Sequence, residues 1–182
     1  MHFTMLRFRG QSLRRVLSIS TLVLVVALLS SGCMFYSFTG ATIPSHINTV
    51  AVPLASDRTD SPLATLDDIM TQAIITQFVN QTRLRLESNE QEADAVLDLT
   101  IQQYQNEPTA VGTDQAARNR VSISVAVRYI DRVNEEDILD RTFNASEEYD
   151  PIELGTAGEE EAARAALNTI AEDIFTAATS DW

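Results

Sequence analysis

The chain has 182 residues, 45% of them apolar, and a formal net charge of -13, which leaves room for one domain of ordinary size and argues against disorder. All 13 basic residues are arginine, and Arg7, Arg9, Arg14 and Arg15 precede Cys33, so the remainder carries 9 arginines against 26 acids, a net -17. A surface of that sign repels phosphate backbones and excludes nucleic acid as a partner. Avoidance of lysine fits either a saline habitat, where salt screens the self-repulsion, or a GC-rich genome that favours arginine codons. Neither bears on activity.

Residues 1–15 hold the four early arginines, and residues 16–29 (VLSISTLVLVVALL) form an apolar run of fourteen, followed by Ser30, Ser31, Gly32 and Cys33. A basic segment, a short apolar run and small residues before a cut describe an export signal. The run falls short of the ~20 residues a membrane span needs. Cys33 is the sole cysteine of the chain, so it has no internal disulfide partner, and lipidation explains an unpaired thiol in an exported protein. The expected processing is cleavage of residues 1–32 and acylation of Cys33, which ties residues 33–46 to a membrane as a lipid-bearing segment. Ser30 stands where leucine is commonest in such signals, with Leu29 one place earlier. Met34, rather than aspartate, follows the cysteine, which favours sorting to the outer membrane.

The domain expected over 47–182 opens with a strand at 48–54, with Val50, Val52 and Leu54 on one face and Pro53 marking its end. A turn-rich stretch over 57–64 leads to Thr65 and Asp68, spaced as a capping box. Leu66, Ile69, Met70, Ala73, Ile74 and Phe78 then recur at helical spacing until Asn80 and Gln81. A short extended piece at 84–86 precedes a strand over 95–104 with Leu97, Leu99 and Ile101 on one face. The polar segment 105–119, with Pro108 and Gly112, reads as a loop. The clearest alternation lies in 120–131, where Val121, Ile123, Val125, Val127 and Tyr129 interleave with polar or small residues. Residues 133–136 link it to a returning strand at 137–144. A helix over 159–178 follows, with acids in its first turn complementing the helix dipole and a stripe of Ala163, Leu167, Ile170 and Ile174. This order predicts an α+β two-layer sandwich: a mixed sheet of four to five strands with two helices packed on one face. The first strand–helix–strand step is expected to be a right-handed crossover.

Catalytic chemistry is sparse. After Cys33 the chain has one histidine, His46, too little for a histidine-dependent triad or a Cys/His metal cluster. No phosphate-cradling glycine loop occurs. Acid pairs such as Asp67/Asp68, Glu135/Glu136/Asp137, Glu147/Glu148 and Glu159 to Glu161 are numerous enough to arise by chance, and a carboxylate-dependent periplasmic hydrolase is a minor alternative. Arg118, Arg120 and Arg128 fall within eleven residues. Either they form a basic patch for phosphate or carboxylate, or they pair with acids across the sheet. No cofactor and no metal is expected.

Several segments together resemble a known family. The block from Phe35 to Ala41 (FYSFTGA) with Ile43-Pro44, the stretch Ile47 to Val52, Ala93-Asp94-Ala95 before a long strand, Asn119 to Val125, Phe143 to Tyr149, and the terminal helix ending at Trp182 are similar to the lipopolysaccharide-assembly (LptE-like) lipoproteins, in particular the Bacteroidetes-type form. The resemblance covers 33–182 and implies a non-enzymatic role. It implies the two-layer α+β fold, a lipid anchor on Cys33, and a place at the periplasmic face of the outer membrane. It also implies partnership with a large β-barrel that delivers lipopolysaccharide to the outer leaflet, and contact with lipopolysaccharide; Arg118, Arg120 and Arg128 are the candidates for contact with lipopolysaccharide or with the partner. The absence of lysine prevents any lysine-based lipid contact from carrying over. A lipoprotein module regulating a cell-wall synthase is the alternative of similar shape.

Overall fold

The computed structural model describes residues 43–109 and 118–180; the expected signal, Cys33 and most of the segment after it lie outside the described residues. Among the described residues six strands and two helices follow in the order β1 (Thr49–Ala51), β2 (Ser56–Asp57), α1 (Leu66–Gln81), β3 (Arg85–Leu86), β4 (Ala95–Pro108), β5 (Asn119–Asp131), β6 (Glu136–Tyr149) and α2 (Gly155–Ser180). The sheet runs β3-β1-β4-β5-β6, and β2 also pairs with β4. The three short strands pair in parallel, while β4, β5 and β6 form a long antiparallel meander. The sandwich expected from the sequence is therefore present, with six strands rather than four or five.

The apolar stripes behave as their spacing predicts. Leu66, Ile69, Met70, Ile74 and Phe78 of α1 are buried, as are Ala163, Leu167, Ile170 and Ile174 of α2. They share one core with Val121, Ile123, Val125, Val127 and Tyr129 of β5. Phe78 joins the layers: its ring meets Tyr129 edge-on at 5.7 Å between centroids and Phe175 of α2 at 5.4 Å, separations at which such pairs add to the gain from burial.

Five local expectations need correction. The first strand stops at Ala51 and leaves Leu54 59% exposed. Residues 49–57 still follow the β4 edge, but Ala51 opposes Val96 and Ser56 opposes Thr100, so one extra residue bulges out around Pro53, which has no N–H to offer. The capping box is not formed, since Thr65 makes no side-chain cap bond; the Asp67 carboxylate instead accepts the Asp68 N–H at 2.8 Å. The expected loop at 105–119 is shorter at both ends: β4 runs to Pro108 and β5 starts at Asn119. Likewise β6 continues to Tyr149 instead of ending at 144.

The fifth correction concerns α2, which starts at Gly155 and has no acid in its first turn. The start is set upstream. Asp150 accepts the Ile152 and Glu153 N–H groups at 2.9 and 3.0 Å, and Gly155 takes a φ of 55°, a left-handed conformation that favours glycine. Gly158 then sits where a Cβ would lie 2.5 Å from Leu154 Cβ and 2.9 Å from Tyr149 Cδ2, so the helix rests directly on the end of β6.

The polar end of the meander escaped hydrophobic periodicity because hydrogen bonds stand in for apolar contacts there. Asn106 donates to the Tyr149 hydroxyl at 2.8 Å, Asn119 donates to Asn106 Oδ1 at 3.2 Å, and the Tyr104 hydroxyl donates to Glu159 at 2.7 Å. Burial and the Glu159 carboxylate together push the Tyr104 phenol well above its ordinary value. A register shift between Ile101 and Gln103 also reverses the alternation, turning Tyr104 and Asn106 toward the helices and Gln103 and Gln105 away from them.

Candidate functional site

Two features of the described residues extend beyond packing: a clamp on the segment that enters the domain, and the helix-free face of the meander.

The clamp holds residues 43–49. Arg83, just past α1, donates from its guanidinium to the carbonyls of Pro44 at 2.7 Å, Ile47 at 3.2 Å and Ile43 at 3.4 Å. Asp94, at the entry to β4, accepts the N–H groups of Asn48 at 2.8 Å and Thr49 at 3.1 Å, and its own N–H donates to the Thr49 hydroxyl at 2.9 Å. The backbone bond from Asn48 is the strongest influence on the Asp94 carboxyl and holds it below the ordinary carboxylate value.

His46 supplies the third tie. Its ring is half-buried, and its Nε2 donates to Asp131 Oδ2 at 2.5 Å. Asp131 is 3% exposed, and its carboxylate also accepts the Val133 N–H at 2.8 Å, the Asn134 N–H at 3.1 Å and the Asn134 side-chain amide at 3.0 Å. Burial pushes this carboxyl up, but the His46 bond and the two backbone donors outweigh it, so the group lies below its ordinary value. A general acid needs the opposite shift, and Asp94 and Asp131 are both lowered. Among the described residues no group of three or more His, Cys, Asp or Glu is placed to hold a metal ion. One sequence signal for the clamp was available: Asp94 belonged to the block that carried the family resemblance.

The helix-free face of the meander holds Arg120 and Arg128, but not as one basic patch. They stand eight residues apart on β5, and each lies between acids on both neighbouring strands. Arg120 opposes Glu107 on β4 and Glu148 on β6; Arg128 opposes Asp98 and Asp140. Arg120 bonds Glu148 at 2.6 Å, and Arg128 grips Asp137 with two bonds of 3.0 and 3.1 Å. The Asp137 carboxylate raises the Arg128 pKa further. Arg118 is exposed, and among the described residues it has no carboxylate within ion-pair distance; its carbonyl accepts the Thr109 N–H at 2.8 Å. Beside Arg128 lies an open depression of about 390 Å³ lined by Glu90, Asp98, Glu135 and Asp137 as well as Arg132.

Between the two charged rungs the face is uncharged. Gln103, Ser124 and Asn144 oppose one another across the three strands, as do Gln105, Ser122 and Ser146. Together they surround a shallow trough of about 200 Å³.

Among the described residues no helix is long and apolar enough to cross a membrane. No curated protein sequence matches the chain. Solved structures with the same fold include a hypothetical protein from Chlamydia trachomatis, at 15% identity and a TM-score of 0.52, covering 74% of this chain and 99% of that one. A protein from Xanthomonas campestris matches at 11% identity and a TM-score of 0.53, covering 73% of this chain and 85% of that one. At these identities the likeness is one of fold. The family model for lipopolysaccharide assembly, LptE, matches residues 47–178, well over half of the chain and nearly all of the sandwich. With its two-layer fold, the chain belongs to the LptE family of lipopolysaccharide-assembly lipoproteins, a non-catalytic family.

Proposed function

We propose that this protein is held at the periplasmic face of the outer membrane by lipid on Cys33. There it binds and helps assemble the β-barrel through which lipopolysaccharide reaches the outer leaflet. The observation that carries the reading is the family match over residues 47–178. The clamp supports it. A lipid-borne domain has to be joined firmly to its tether, and residues 43–49 are fixed by Arg83, Asp94 and Asp131. Cys33 precedes Ile43 by ten residues, so the link spans at most about 36 Å when fully extended. Several acyl chains on the processed cysteine give stable anchoring where one is marginal.

The protein acts by shape and polar contact. Of the three candidate arginines, Arg118 is the best placed for an anionic group, being exposed and clear of carboxylates among the described residues. Arg120 and Arg128 would first have to leave their acids.

The test is affinity purification of the tagged, full-length protein from detergent-solubilised outer membranes. Recovery of a large β-barrel in near-equal amount is expected. Recovery of a cell-wall synthase instead, or of no partner, overturns the reading, and an unlipidated product with Cys33 intact overturns the anchor.

A further inference from the structure

None of the six polar side chains of the uncharged trough on the helix-free face belongs to the hydrophobic core. These six, Gln103, Gln105, Ser122, Ser124, Asn144 and Ser146, come from three strands and form two adjacent rungs of three. Strands are spaced about 4.8 Å and same-face residues about 6.8 Å apart, so the grid is roughly 10 Å across and 7 Å along. Serines on the central strand make a low floor, with Gln103 and Gln105 of β4 along one side and Asn144 and Ser146 of β6 along the other. The next rung, Thr100, Ala126 and Thr142, continues the uncharged surface toward Arg128.

None of the six makes a side-chain hydrogen bond within the described residues. Elsewhere amides and hydroxyls are put to use, as with Asn48, Asn106, Asn119 and Asn134. Here donors and acceptors of both kinds stand together unused. Charge narrows the occupant. The trough is neutral in a chain with a large acid excess, and the rung at each end sets one arginine between acids on both sides. An anionic ligand would meet Glu107 and Glu148 at one end and Asp98 and Asp140 at the other. An apolar ligand would strip water from six polar groups without replacing their bonds. A chain of uncharged hydroxyl groups satisfies them.

We propose that this face binds an uncharged polysaccharide chain, laid along β5 with its hydroxyls bonded to the amides of β4 and β6. The inference goes beyond the translocon reading and does not depend on it. A volume of about 200 Å³ is below the ~300 Å³ at which pockets enclose a whole drug-sized ligand, as suits a surface that grips part of a longer chain. A handful of exposed hydrogen bonds gives a Kd of about 1 mM per contact segment.

The test is NMR titration of the full mature protein in detergent micelles, following the side-chain amide signals of Gln103, Gln105 and Asn144. The probes are dextran oligosaccharides, mannan oligosaccharides, and lipid-free, dephosphorylated polysaccharide cleaved from lipopolysaccharide. Heparin and inorganic phosphate serve as anionic comparisons. Saturable shifts of these amides with a neutral glycan are expected, and Gln105→Ala and Asn144→Ala, both at exposed positions, should each weaken binding about 2- to 12-fold. Shifts with the anionic probes alone overturn the proposal, as does silence with all three neutral glycans. Protection of the face only when a co-purified barrel is added also overturns it, because that outcome assigns the trough to protein contact.

Discussion

Asp131→Asn isolates the tie between the domain and its entering segment. Asparagine keeps the shape and leaves one carbonyl oxygen, which can still accept the Val133 and Asn134 N–H groups that Asp131 Oδ1 accepts at 2.8 and 3.1 Å. It removes the charge and the second acceptor, which takes the His46 bond at 2.5 Å and the Asn134 amide bond at 3.0 Å. A bond to a charged, buried group contributes about 1.5–3 kcal/mol and an ordinary one about 1. The expected loss is about 2–4 kcal/mol, a large part of a typical domain stability of ~5–15 kcal/mol. With a urea slope near 2 kcal/mol/M, the midpoint should fall by roughly 1–2 M.

The pH dependence gives a sharper check. The folded-state pKa of Asp131 lies below the ordinary carboxylate value. Its stabilisation is therefore present above the unfolded pKa and is lost as pH falls through the lower, folded value. The gap between wild type and Asp131→Asn, measured by circular dichroism in urea, should be full near pH 6 and shrink below about pH 4. A gap that stays constant with pH, or a midpoint unchanged at pH 6, would refute the argument that the ionised carboxylate holds His46 and the turn.

Three further outcomes follow from the same geometry. Arg83→Met keeps most of the apolar stem but loses the donors to Ile43, Pro44 and Ile47, so hydrogen exchange and proteolysis should quicken over residues 43–49 while the β4–β6 meander keeps its protection. Tyr129→Phe removes a fully buried hydroxyl that has no hydrogen-bond partner among the described residues, so the thermal midpoint should hold or rise, by up to ~1 kcal/mol of stability; a clear loss would mean that a bond to that hydroxyl exists. Gly158→Ala sets a helix-propensity gain of about 1 kcal/mol against overpacking of about 1–3 kcal/mol. With Leu154 Cβ at 2.5 Å from the added carbon the steric cost wins, and the urea midpoint should fall.

Both helices, the central strand and the two-layer fold were legible in the sequence because each carries a one-faced apolar stripe. Phe78 and Ile174 are buried at the positions their helical spacing assigns, and Val121 to Tyr129 are buried at alternate positions of β5. Export and lipidation of Cys33 are expectations from local chemistry, and that cysteine lies outside the described residues. Periodicity failed where side chains did not follow the rule it relies on. Asn106, Asn119 and Tyr149 line the helix side of the sheet through hydrogen bonds instead of apolar contact, and the bulge at Gln102 reverses the alternation partway along β4.

Tertiary structure alone decided which distant residues meet. His46 and Asp131 are 85 residues apart, and Asn48 and Asp94 are 46 apart, so neither contact leaves a local signal. Sequence proximity placed Arg118, Arg120 and Arg128 together, but register on three strands set acids on both sides of Arg120 and Arg128 and left an uncharged trough between them. A strand's own sequence fixes which residues share a face. Which groups stand opposite, and whether a charge is neutralised or free, depends on neighbours supplied from elsewhere in the chain.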